Sequence, residues 1–232
     1  MKFKRVLLKL SGESLSSGFG IDKGHCESVS SSIKKCVNLG LEVSIVIGGG
    51  NFWRGRTGTE ISRIKSDHMG MLATSMNALC LSDFLERLKI KTLIQSSVKI
   101  GGILRCFSID GTLKALKKGK VVIFSSGIGE PFFSTDTCAA LRACEIRADV
   151  IFKATNVDGI YSADPKIDKS AKKYNSISFD EVLEKNLNVM DMTAISLCRE
   201  NNIPVLVFKF DDLERVARGE NLGSFVSNSI FE

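Results

Sequence analysis

An α/β fold, a three-layer αβα sandwich with a mainly parallel central sheet, is what the sequence predicts, and three observations carry it. Short continuous runs of Val, Ile and Leu recur, segments with helical spacing lie between them, and glycines collect where the runs end. Continuous rather than alternating hydrophobicity marks strands covered on both faces. Strand followed by helix, repeated, is the α/β pattern.

The apolar runs fall at 5–10, 42–47, 92–95, 120–125, 149–153 and 204–208. A helix is expected over 22–39, with Asp22 as N-cap and Gly40 just past the end. The longest helix, over 67–87, carries Met69, Leu72, Met76 and Leu79 at three- and four-residue spacing. Further helices are expected over 110–118, stopped by Gly119, over 136–147, with Asp136 as candidate N-cap, and over 190–201, before Pro204. Residues 96–106, with Gly101-Gly102, lack a pattern and read as a hairpin or mobile loop, and 162–178 is loosely patterned; both are expected at the surface.

With 232 residues, 44% of them hydrophobic, and only 3 prolines, residues 1–232 form one globular domain with a sizeable core, which excludes disorder and fibre. The net charge of +6 favours anionic partners. The basic residues are scattered and no base-stacking or helix-turn-helix motif is present, which argues against nucleic acid. Seven cysteines form no CxxC pair and suit a reducing cytosol. His25 and His68, the two histidines, belong to no metal-ligand spacing, so no protein-held metal is expected. The apolar run at 6–8 is too short for a secretion signal or a membrane span.

Three strand ends carry glycine turns: Lys9-Leu10-Ser11-Gly12-Glu13, Gly48-Gly49-Gly50-Asn51 and Gly127-Ile128-Gly129. In a parallel sheet these ends share one edge, where ligands bind. Backbone amides that approach closely, together with nearby helix N-termini, favour phosphate. No GxxxxGK[ST] occurs, and the Gly-x-Gly pairs lack the third glycine of a dinucleotide fingerprint, so the phosphate site is of another type.

Six blocks in order resemble the bacterial-type UMP kinases (uridylate kinases) of the amino-acid kinase superfamily. They are Lys9–Glu13 as quoted above; Ile47-Gly48-Gly49-Gly50-Asn51 with Arg54-Gly55; Asp67-His68-Met69-Gly70-Met71-Leu72-Ala73-Thr74; Pro131-Phe132-Phe133-Ser134-Thr135-Asp136; Lys153-Ala154-Thr155 with Val157-Asp158-Gly159 and Ala163-Asp164-Pro165; and Val189-Met190-Asp191. The resemblance covers nearly the whole chain. It implies an amino-acid kinase-like fold whose N-terminal part mainly binds UMP and whose C-terminal part mainly binds ATP. It also implies a cytoplasmic homohexamer that moves the γ-phosphoryl of ATP, with Mg²⁺, onto UMP in pyrimidine nucleotide synthesis.

Family practice puts ATP on Lys9, Leu10, Ser11, Gly12, Gly50, Arg54, Thr155, Asn156, Tyr161 and Asp164. It puts UMP on Gly49, Asp67 and Ile128, Gly129, Glu130, Pro131, Phe132, Phe133, Ser134 and Thr135. Asp67 would accept from the ribose, while Thr135 and backbone groups near Ile128 would read the uracil edge. Lys9, Arg54, Asp136 and Asp191 are the catalytic candidates. The attacking phosphate is already an anion, its second pKa being ~6, so cations and alignment are needed rather than a base. Asp136 and Asp191 would orient Lys9 or a hydrated magnesium ion.

Taken singly, Asp67, Asp136 and Asp191 each read as a helix N-cap, His68 as a structural or solvent-facing histidine, and Asp158-Gly159 as a turn. Three features depart from the family pattern. Ile128 and Glu130 stand where Gly-Thr-Gly-Asn is common, so base recognition would lean on backbone groups and Thr135. The loop after Glu13 lacks the acidic, glycine-containing insertion of GTP-activated relatives. Residues 96–108 match no block. The competing readings are a kinase of the same fold acting on a carboxylate and a nucleotide-binding regulator without catalysis.

Overall fold

A computed structural model of the chain describes residues 3–54, 60–165 and 167–229. Gly55, expected to follow Arg54 in the second motif, lies outside the described residues. The strands are β1 (Arg5–Leu10), β2 (Glu42–Ile47), β3 (Thr92–Ser96), β4 (Arg105–Cys106), β5 (Val121–Ser125), β6 (Val150–Thr155), β7 (Ile160–Tyr161), β8 (Lys173–Tyr174), β9 (Ser176–Ser178), β10 (Val205–Lys209) and β11 (Ser224–Ser227). The helices are α1 (Lys23–Asn38), α2 (Arg63–Arg87), α3 (Ile109–Lys117), α4 (Thr135–Ile146), α5 (Phe179–Glu184), α6 (Met192–Glu200) and α7 (Leu213–Ala217).

The main sheet runs β4-β3-β5-β2-β1-β6-β10-β11-β9, and β7 pairs with β8 in a separate antiparallel ribbon. Neighbouring strands from β4 to β10 are parallel, and the antiparallel pair is β10 with β11. Alternation along a strand sends successive side chains to opposite faces. Val6, Leu8 and Leu10 of β1 therefore join the core under α1, α2 and α7, while Leu7 joins the core under α4 and α6. The six expected strands are all present, and the expected α/β architecture with helices on both faces of a mainly parallel sheet is the one observed.

Four local expectations are corrected. Helix α4 is capped by Ser134, whose hydroxyl accepts from the amides of Asp136 and Thr137, so Asp136 is a first-turn residue and not the cap. Asp67 lies a full turn inside α2, which starts at Arg63, so it is not a cap either. Helix α3, expected from residue 110, starts at Ile109 with Ser108 as its cap. Residues 96–106 form no hairpin: β4 pairs parallel with β3. The caps expected at Asp22 and Asp191 are present, each accepting from the backbone three residues on.

Candidate active site

The ends of β1, β2, β5 and β6 converge on one edge of the sheet. Lys9 and Lys153 are register partners on neighbouring parallel strands, and alternation turns both toward α4, beside Leu7 and Ile151. Two ammonium groups so placed repel each other, and Asp136 in the first turn of α4 stands between them. Its Oδ1 lies 2.8 Å from Lys9 Nζ and its Oδ2 2.9 Å from Lys153 Nζ. Burial alone would raise the Asp136 pKa, but Lys9 and Lys153 outweigh it and hold the carboxyl below its ordinary value. Burial also pulls the Lys153 pKa down, against the attraction of Asp136, and Lys9 adds to that fall. The shared carboxylate is held ionised by its two cations, while Lys153 is lowered by burial and by its neighbour Lys9 despite that carboxylate.

Asp191, the cap of α6, also takes hydrogen bonds from the hydroxyls of Ser134 and Thr137. It thereby ties α6 to the start of α4 and steadies the turn that carries Asp136. Asp191 touches neither lysine through a hydrogen bond or ion pair among the described residues; its role in the geometry is to hold α4.

The triglycine bend after β2 is pinned from α2. Buried Asn77 donates to Gly48 O at 2.7 Å and to Asn51 Oδ1 at 2.7 Å, while Gly48 N donates to Leu10 O at 3.0 Å. A Cβ on Gly49 would stand 2.8 Å from Ala73 Cβ and 2.9 Å from Gly70 O, so the bend sits against α2 with no room for a side chain.

The bend after β5 is held by hydroxyls. Ser126, at φ +63°, donates its amide to Thr74 Oγ1 at 2.7 Å, and its Oγ lies 3.0 Å from Ser75 Oγ and 2.9 Å from Ser96 Oγ. Asp67 Oδ2 accepts from Phe132 N at 2.8 Å and from Arg63 Nε at 2.7 Å, linking α2 to the Pro-Phe-Phe segment.

Two open regions flank this edge. A cleft of about 1290 Å³ is lined by Gly50, Arg54, Thr155 and Asn156 of the expected ATP residues, and also by Lys209, Phe210 and Asp211 after β10. Tyr161 and Asp164 lie outside that lining, and the Tyr161 hydroxyl donates to Asp158 at 2.8 Å. Ser11 and Gly12 continue from β1 into a short 3₁₀ turn, the Leu10 side chain is fully buried and its carbonyl accepts from Gly48 N, and Lys9, Leu10, Ser11 and Gly12 lie outside the lining of the large cleft. On the other side, a cleft of about 120 Å³ is lined by Gly49, Asp67, Ile128, Glu130, Phe133, Ser134 and Thr135. It adjoins a depression of about 360 Å³ that shares Asp67, Phe133 and Ser134 and reaches Asp136 and Asp191. Glu130 is exposed, which spares an anionic ligand a buried negative neighbour. Gly129, Pro131 and Phe132 lie outside the lining of the smaller cleft.

The sequence offers Lys9 and Arg54 as the cationic candidates; the structure joins Lys9 through Asp136 to Lys153. Arg54 forms an ion pair with Glu13 instead. Lys153 appears in a quoted motif yet was assigned no role, although a lysine inside an apolar strand was the available signal. Asn77 and Lys209 were also missed. Among the described residues no cluster of three or more His, Cys, Asp or Glu side chains is placed to hold a metal ion.

The chain is similar over almost its whole length to solved kinases. The crystal structure of UMP kinase from Bacillus anthracis superposes with a TM-score of 0.94 at 35% identity, covering 99% of both chains. UMP kinase from Ureaplasma parvum gives 0.91 at 38% identity, covering 98% of this chain and 100% of that one. Uridylate kinase from Archaeoglobus fulgidus gives 0.71 at 27%, covering 95% and 99%. The profile of the amino acid kinase family matches residues 4–209, and the chain belongs to that family.

Proposed function

We propose that this protein is a UMP kinase, transferring the γ-phosphoryl of ATP to UMP to give UDP and ADP, a step of pyrimidine nucleotide synthesis. The observation that carries the reading is the Lys9–Asp136–Lys153 bridge at the strand ends, with a large cleft on one side and the Asp67–Thr135 cleft on the other. An oxygen of the UMP phosphate attacks the γ-phosphorus as the bond from that phosphorus to the β-bridging oxygen breaks, and ADP leaves. The nucleophile is already ionised, so no side chain has to remove a proton.

The obstacle is repulsion between polyanions. Lys9 and Lys153 supply positive charge where it accumulates, and Asp136 fixes the spacing of the two ammonium groups before substrate arrives. Gly49 and Gly50 bring backbone amides to the transferring group. Mg²⁺ enters with ATP as part of the substrate, and magnesium bound to nucleotide takes most of its ligands from phosphate and water.

The N-terminal part, with Asp67 and the 128–135 segment, takes UMP; the C-terminal part, with Thr155, Asn156, Tyr161 and Asp164, takes ATP. Exposed Leu72, Met76 and Leu79 on α2 support assembly with further copies, for which we propose a homohexamer. Seven cysteines, none in a disulfide, support a cytoplasmic site, and among the described residues no helix is long and apolar enough to cross a membrane. A coupled ADP-release assay over UMP, CMP, AMP and acetylglutamate tests the reading: turnover greatest with UMP is expected, and turnover with acetylglutamate alone overturns it.

A further inference from the structure

We infer that Arg142 of α4 is a positioning residue for the nucleotide site, acting through the hydroxyl of Ser97 on the carbonyl of Gly127 so that the Ile128 amide N–H is presented to a carbonyl oxygen of the pyrimidine ring. The inference rests on the UMP kinase reading and names two residues outside the site described above.

Arg142 is buried, its side chain 5% exposed, and among the described residues its Nε has no hydrogen-bond partner. Taking a guanidinium out of water and leaving a donor unmade is costly, so the remaining contacts must hold it. Nη1 pairs with Glu145 Oε2 at 2.5 Å, the guanidinium carbon lies 3.6 Å from the centre of the Phe107 ring, and Nη2 donates to Ser97 Oγ at 3.0 Å. Ser97 Oγ in turn lies 2.7 Å from Gly127 O.

Chemistry fixes the direction of this chain. Arginine has donors and no acceptor, so Ser97 must accept from Arg142 and direct its single proton to Gly127 O. All described peptides are trans, and in a trans peptide the carbonyl and the following N–H point in opposite directions. Anchoring Gly127 O to Ser97 therefore turns the Ile128 N–H away from Ser97. Among the described residues no acceptor takes that N–H, and Ile128 lines the smaller cleft. Gly127 and Gly129 hold φ of +56° and +94°, conformations that leave the bend dependent on outside anchors for its orientation.

A backbone donor suits the ring carbonyl oxygen that uracil carries where cytosine carries an amino group, so the placement of this amide bears on base choice as well as on affinity. The Ser97 backbone adds to the fit: a Cβ on Gly129 would stand 3.1 Å from Ser97 O.

The test is steady-state kinetics of the full chain, wild type against Ser97→Ala, Arg142→Lys and the double variant, with UMP or CMP varied at saturating MgATP and the thermal midpoint of each protein recorded. Ser97→Ala is expected to raise KM for UMP about tenfold with kcat within about twofold, and to lower the UMP-over-CMP preference about fivefold, with KM for ATP unmoved. Arg142→Lys, which keeps the charge but not the planar fork, should act in the same direction. The double variant should be no worse than Ser97→Ala, because both act through one hydroxyl. If Arg142→Lys does not fold, Ser97→Ala decides alone. An active wild type with KM for UMP unchanged in folded Ser97→Ala overturns the inference and leaves the UMP kinase reading intact. A wild type that phosphorylates no nucleoside monophosphate overturns that reading, and the inference with it.

Discussion

Two cations near the ends of β1 and β2 live under opposite conditions. Lys9 keeps 14% of its side-chain exposure and faces Asp136, which Lys153 holds from the other side. Arg54 keeps 63% and reaches across to Glu13, itself 47% exposed. The buried bridge has its geometry set by two strands in register and one helix turn; the exposed pair is screened by water and contributes little to folding. In the proposed reaction, charge that must be in place before substrate arrives would be of the first kind, and charge that changes partners on binding a triphosphate would be of the second.

The sharpest way to break this comparison is Lys9→Ala. Loss of one charge donor should lower kcat by roughly 10²–10³ with a much smaller change in UMP affinity, read from initial rates; unchanged turnover removes Lys9 from the mechanism. Asp136→Asn comes next. It leaves two ammonium groups facing each other without a counter-charge and should cost about 3 kcal/mol in urea unfolding.

The same bridge predicts a pH dependence. The Asp136 carboxyl lies below its ordinary value in the folded chain, so its contribution to stability is full above the unfolded carboxyl pKa of about 4 and is lost as pH falls through the lower folded value. Asp136→Asn should flatten that part of the acid limb of a stability–pH curve; an acid limb identical to wild type would assign it to other carboxylates.

Gly49→Ala should destabilise by about 2 kcal/mol, since its methyl must displace Ala73 or the α2 backbone at Gly70. Arg54→Ala sharpens the comparison from the weak side. A change under about 1 kcal/mol in stability, with a severalfold rise in KM for ATP, is the expected pairing. A large loss of stability would mean that Arg54 is a structural member of the fold.

The buried strands were legible because both faces are covered, so hydrophobicity alone located β1, β2, β3, β5, β6 and β10. Strands β9 and β11 were not. They are short and serine-rich, and each depends on a partner far along the chain, which local pattern does not record. Helix starts were misplaced for a different reason: acidic residues were read as caps at α2 and α4, whereas α2 begins a turn earlier, at Arg63, and Ser134 caps α4, so Asp67 and Asp136 make contacts across the site instead. The glycine turns announced the edge where the clefts lie. The pairing of Lys9 with Lys153 rather than Arg54 needed the β1–β6 register, a relation between residues separated by most of the chain.

That register also shapes how the protein comes into being. Strand β1 occupies the middle of the sheet between β2 and β6, and the outer edge strand β9 is joined to the rest only through β11, at Ser224–Ser227. On the ribosome, β1 can dock with β2 early but must wait for Val150–Thr155 to gain its second neighbour. Until Ser224–Ser227 is made and pairs as β11, β10 presents a bare edge open to pairing with the wrong partner.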